Sequence, residues 1–195
     1  CSVLTVLAIG LSAKTYASPL PVVLNIDISN PSAVTITGLP VPLESDTFDG
    51  FDEILGVDLL GFFTSDVGSL SGSASGNLIP SGTSTIAYDS YRSDNYSGDY
   101  LDLNLFTAGD DRDLQTFINN QPPFTGTLTL DLSSLSAYFP TAGTQGIIES
   151  ANSFKSGDNS AIGLWSVTAE STPEPSTCAL MGVAAGALLL FKKRR

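Results

Sequence analysis

The chain contains no histidine, and its two cysteines, Cys1 and Cys178, lie in its apolar ends. The stretch between Ser18 and Thr172 therefore has neither thiol nor imidazole. Disulfides, Cys/His zinc sites and Cys- or His-based nucleophilic machinery are excluded there. Cations are nearly as scarce. Four of the eight Lys and Arg are Lys192, Lys193, Arg194 and Arg195, and a fifth is Lys14. Only Arg92, Arg112 and Lys155 remain between Ser18 and Thr172, against nineteen acids. A surface of that sign repels phosphate backbones, which excludes nucleic acid as a partner. Missing, too, is any sustained helical period in this stretch, apart from a short helix suggested around Asp113 to Asn119.

What is there reads as strands. "VVLNIDIS" (22–29) alternates apolar and polar residues and closes at Asn30-Pro31, and "AVTITGLP" repeats the alternation up to Gly38 and Pro40. "ILGVDLLGFFT" (54–64) is a longer run, with Gly56 and Gly61 as bulge positions. "STIAYDSY", "YLDLNLFTA", "GTLTLDLSS" and "IGLWSVTA" continue the pattern. In "TGTLTLDL" the residues Leu128, Leu130 and Leu132 share one face, and Thr127, Thr129 and Asp131 the other. "SLSGSASGN" (69–77) is of low complexity and reads as a loop or a poorly specified strand. Residues 18–171 are therefore expected to form one all-β domain, a jelly-roll-like antiparallel β-sandwich, with the lone Trp165 in its core.

The two ends differ from this middle. "VLTVLAIGL" (3–11) followed by "SAKTYASPL" is a short apolar run with small residues around Ala17, which reads residues 1–17 as a secretory signal peptide lacking its start. At the other end, Pro173-Glu174-Pro175 interrupts whatever precedes it. Cys178 to Phe191 then gives fourteen apolar or small residues, about 21 Å as a helix, against a hydrocarbon core of about 30 Å. Lys192, Lys193, Arg194 and Arg195 follow, and their long stems extend the span by reaching to the interface. Such a charge cluster orients a membrane helix with the cations on the cytoplasmic side and the acidic domain outside. Residues 172–195 are thus expected to be a membrane segment with its helix at 178–191.

Proline-glutamate-proline, apolar helix and basic tail, in that order, resemble the PEP-CTERM sorting signal of bacteria. The resemblance covers about two dozen residues, and one departure is Cys178, where such tails often carry a larger apolar residue. It implies export, transient retention in the inner membrane, recognition by an exosortase, and a destination at the cell surface or in an extracellular, biofilm-type matrix rich in polysaccharide. Tails of this kind also carry the label ice-binding protein C-terminal segment, which describes the tail and not an activity. The segments "VDLLGFFTSD", "YLDLNLF" and "IGLWSV" resemble β-rich ectodomains that accompany this signal, which bears on the fold alone.

Three groups of side chains in the middle stand as candidates. Asp110, Asp111 and Asp113 crowd a turn, and clustered hard oxygen ligands on loops are what Ca²⁺ takes. "DTFDGFDE" (46–53) is similar, but neither stretch has the EF-hand spacing, and aspartate populates turns for reasons of its own. Tyr88, Tyr91, Tyr96 and Tyr100 lie in "YDSYRSDNYSGDY", a composition suited to sugar faces and hydroxyls, although alternating tyrosines on an edge strand explain it as well. The pairs Thr35/Thr37, Thr83/Thr85 and Thr127/Thr129 are too scattered in sequence to make a ladder. No G-x-S-x-G is present, and among nineteen acids no carboxylate pair is marked out for glycoside hydrolysis. The expectation is a non-enzymatic, exported structural or adhesive protein working with extracellular polysaccharide and without a cofactor, calcium aside. A secreted carbohydrate-active enzyme or a calcium-dependent carbohydrate-binding module is the alternative.

Overall fold

The computed structural model describes residues 20–43, 51–52, 55–80, 86–95, 99–109, 114–115, 117, 120–151 and 161–168. The signal peptide, the Pro173–Arg195 tail and the helix within it, and the Asp110–Asp113 turn lie outside them.

Among the described residues thirteen strands follow one another: β1 (Val22–Asp27), β2 (Val34–Gly38), β3 (Phe51–Asp52), β4 (Val57–Leu59), β5 (Ser71–Gly76), β6 (Ile79–Pro80) and β7 (Ser90–Asp94), then β8 (Asp102–Phe106), β9 (Leu114–Gln115), β10 (Phe124–Thr125), β11 (Thr127–Leu130), β12 (Gln145–Ser150) and β13 (Ala161–Thr168). Among the described residues the only helical turns are two short 3-10 segments, Pro31–Ala33 and Ser133–Tyr138. The protein is all-β, as its period-2 patterning requires.

Nine strands form one closed, barrel-like sheet in the order β1-β13-β12-β4-β8-β7-β5-β11-β2, with β2 returning to β1. This differs from the expected jelly-roll sandwich. Alternation along each strand is the same in an open sandwich and a closed ring, so patterning could not separate them. Closure also forces a second departure. A ring with an odd number of strands cannot alternate direction all the way round, and one seam must be parallel. That seam joins the first and last described strands, β1 and β13, while every other barrel pair is antiparallel. Closure leaves no barrel strand with an unpaired edge. Two satellite pairs, β6–β10 and β3–β9, complete the strands. In β9, Leu114–Gln115 is extended and pairs with Phe51–Asp52, so these two residues are not in the short helix expected around 113–119.

Leu24, Ile26, Val34, Ile36, Val57, Leu59, Leu103, Leu105, Leu128, Leu130 and Ile148 fill the core, with Trp165 and Phe62 edge-to-face at 5.7 Å. Trp165 is buried as expected, its indole N–H donating to Leu60 O at 3.3 Å. Two strands differ from their sequence reading. Of the described part of the 54–64 run, residues 55–64, only the three of β4 form a strand. Gly56 and Gly61 take left-handed φ of 68° and 63° and end the strand on both sides rather than bulging it. "SGSASG" is a regular barrel strand, β5, and its small residues have a use. Across from Tyr91, a Cβ at Gly72 would lie 2.4 Å from the phenol oxygen, so only glycine leaves that ring room to turn inward.

Candidate functional site

Two regions of the barrel wall carry chemistry, and both consist of residues that alternate with core residues and so lie on the outer face. The first is built by β13, β1, β2, β11 and β5. Strand pairing sets Thr168, Asp27, Thr35, Thr129 and Ser75 in one row across the five strands. A second row runs Gln145, Ser166, Asn25, Thr37, Thr127. Neighbours within a row are about 4.8 Å apart, and the rows are about 6.8 Å apart, two residues along each strand. Thr37 Oγ1 and Thr127 Oγ1 are 3.4 Å apart, within hydrogen-bonding distance. Two of the threonine pairs that sequence spacing scattered are thus direct cross-strand partners, while Thr83 and Thr85 lie outside the described residues. Asp27 is the single charge in these rows. What they offer is a regular field of small donors and acceptors.

The second region lies on β12, β4, β8 and β7 and is of opposite character. Glu149, Asp58, Asn104 and Arg92 form a cross-strand row, ending at Ser71 on β5. Asp94 and Asp102 are paired beside it. Although outward by alternation, Asp58 is 2% exposed, Asn104 0%, and Asp102 and Glu149 are buried. Arg92 is the only basic residue among the described residues, and it is shared. Its guanidinium lies 3.6 Å from Asp94 Oδ2 and 5.0 Å from the centre of the Phe106 ring. Burial, with Asp94 and Asp102 nearby, pushes the Asp58 carboxyl up to about 7 against the weaker opposing pull of Asn104 and Arg92. Burial also raises Asp102, countered by the Gly61 N–H that donates to its Oδ1 at 2.6 Å. The Asn104 amide donates to Leu55 O at 2.8 Å and to Val57 O at 3.2 Å. Two oxygens here, Asp58 Oδ1 and Asn104 Oδ1, are buried without a donor.

The residues singled out from sequence are distributed otherwise. Tyr88 is 1% exposed and Tyr91 8%, so neither presents a ring face to solvent. Tyr91 lies on β7, between β5 and β8 and not at an edge, and its hydroxyl donates to Asp131 O at 2.7 Å. Tyr100 is half-buried in the turn before β8, and Tyr96 lies outside the described residues. The four tyrosines therefore do not share one exposed face. Asp110, Asp111 and Asp113 also lie outside, and among the described residues no three or more His, Cys, Asp or Glu come together as a metal site would need. Sequence reading missed Asp58 and Asn104. Their signal was present in "VDLL" and "LNLF", where a polar residue stands inside an otherwise aliphatic run.

The fold and these two surfaces define a closed all-β barrel-like domain with one hydroxyl-bearing wall and one buried carboxylate wall. No family model, curated protein or solved structure matches the chain.

Proposed function

We propose that this is an exported envelope or matrix protein whose barrel domain does structural or adhesive work with extracellular polysaccharide, without catalysis. In this reading the Pro173-Glu174-Pro175 motif, the apolar 178–191 segment and the Lys192, Lys193, Arg194, Arg195 cluster are read by an exosortase, and the inner membrane holds the precursor briefly. The observation that carries the domain's part is the hydroxyl-bearing wall of five strands. It offers repeated hydrogen-bonding groups over an area that a polymer can follow, with one charge among them. Among the described residues the clustered carboxylates are on the other wall, where Asp58 is 2% exposed.

The test is a glycan array combined with a screen for sugar release. Binding without release supports the proposal. Turnover of any polysaccharide makes the protein a carbohydrate-active enzyme instead. A calorimetric calcium titration bears on the Asp110, Asp111, Asp113 turn, and a flat trace removes calcium from the account.

A further inference from the structure

The carboxylate wall has a feature that adhesion does not need. Asn104 is wholly buried, and both of its amide hydrogens are directed at backbone carbonyls, Leu55 O and Val57 O. Flipping the amide would point its oxygen at those carbonyls, so its orientation is fixed, and Oδ1 is left as an acceptor without a donor. Directly across the β4–β8 seam stands Asp58, the cross-strand partner of Asn104, and its Oδ1 is likewise a buried acceptor without a donor. Two such acceptors on directly paired residues are each costly, and one hydrogen shared between them relieves both.

We infer that Asp58, when protonated, donates its hydrogen to Asn104 Oδ1, making the pair a proton-dependent latch that holds β4 in the barrel. The surroundings favour the neutral acid. Facing Asp58 are Glu149 from β12, Asp102 from β8, and Asp94 with Arg92 from β7. Among the described residues the one cation there, Arg92, is already engaged with Asp94 and Phe106. When the proton leaves, a buried charge appears beside those acids and the acceptor pair loses its only hydrogen. The strand affected is three residues long and is all that joins β12 to β8, so ionisation loosens the closure of the sheet. Carboxyl chemistry takes the place that histidine usually holds in pH-responsive proteins, because the chain has no histidine.

The test uses the full chain. Carbon-13 NMR follows the Asp58 side-chain carbonyl from pH 3 to 9, and thermal unfolding is recorded from pH 5 to 8 for wild type and Asp58→Asn, whose amide can still donate to Asn104. The expected results are a midpoint for Asp58 well above the usual carboxylate range and a wild-type melting temperature about 5–10 °C lower at pH 8 than at pH 5, with a clearly smaller drop in the variant over that interval. An Asp58 that titrates near 4, or a variant with the wild-type slope, overturns the latch. If Asp58→Asn does not fold, the wild-type titration decides alone. Calcium binding that is lost in the variant also overturns it, since the oxygens would then serve a metal.

Discussion

The two walls of this barrel are built by one rule and put to opposite ends. Along β1, β2 and β11, residues between the core positions are Asn, Asp and Thr, partly open to solvent and bonded mostly to each other or to nearby backbone. Along β4 and β8 the same alternate positions carry Asp58, Asp102 and Asn104, shut away from water. Outward-facing by strand period is thus not the same as exposed. Where the outer face is covered, polar groups must find partners inside the protein, and a group that finds none sets its own protonation. On the hydroxyl wall water can serve any unmet group, so substitutions there are cheap and the surface is free to be selected for what it touches.

That contrast can be broken in graded steps. The largest effect is expected from Asn104→Leu, which strips the donors from two backbone carbonyls and leaves Asp58 without its neighbour. Denaturant unfolding should show a loss of about 2–4 kcal/mol. Next comes pH. Folding raises the Asp58 pKa from an unfolded value near 3.8 to about 7, so the folded chain binds more protons over that interval. Its stabilising contribution is therefore complete below about pH 4 and is lost as pH rises through about 7. Between pH 5 and 7 the loss is about 2–3 kcal/mol, measurable by unfolding at each pH. Raising of Asp102 acts in the same direction. Tyr91→Phe should cost about 1 kcal/mol by removing the hydroxyl that reaches Asp131 O, and it should leave glycan retention unchanged because the ring faces the core. Thr37→Val with Thr127→Val, on the other wall, should change stability by less than about 0.5 kcal/mol while weakening retention on polysaccharide.

Much of the architecture was legible because apolar residues at every second position leave few alternatives. Val22–Asp27, Val34–Gly38, Asp102–Phe106, Thr127–Leu130 and Ala161–Thr168 are strands at or within a residue or two of where alternation set them. Leu128, Leu130 and Leu132 are buried together as expected. What alternation cannot carry is register and closure, which depend on partners far apart in sequence. Thr37 and Thr127 are ninety positions apart and become neighbours only through β2–β11 pairing. Tyr88 and Tyr91 were misleading because amphipathic rings in a polar stretch suit either a sugar face or a core rim, and Gly72, which makes room for one of them, is nineteen residues away. The buried acid was hidden for the opposite reason. An aspartate in "GVDLLG" satisfies period 2 perfectly, and period 2 does not tell an open outer face from a covered one.

The most direct measurement compares retention of three proteins on a polysaccharide matrix at pH 6: wild type, Thr37→Lys combined with Thr129→Lys, and Asp58→Asn. If the hydroxyl wall is the working surface, the lysine variant loses at least about tenfold in affinity while Asp58→Asn holds as wild type does, each being shown folded by its circular dichroism. Equal retention by the lysine variant, or loss confined to Asp58→Asn, contradicts the account.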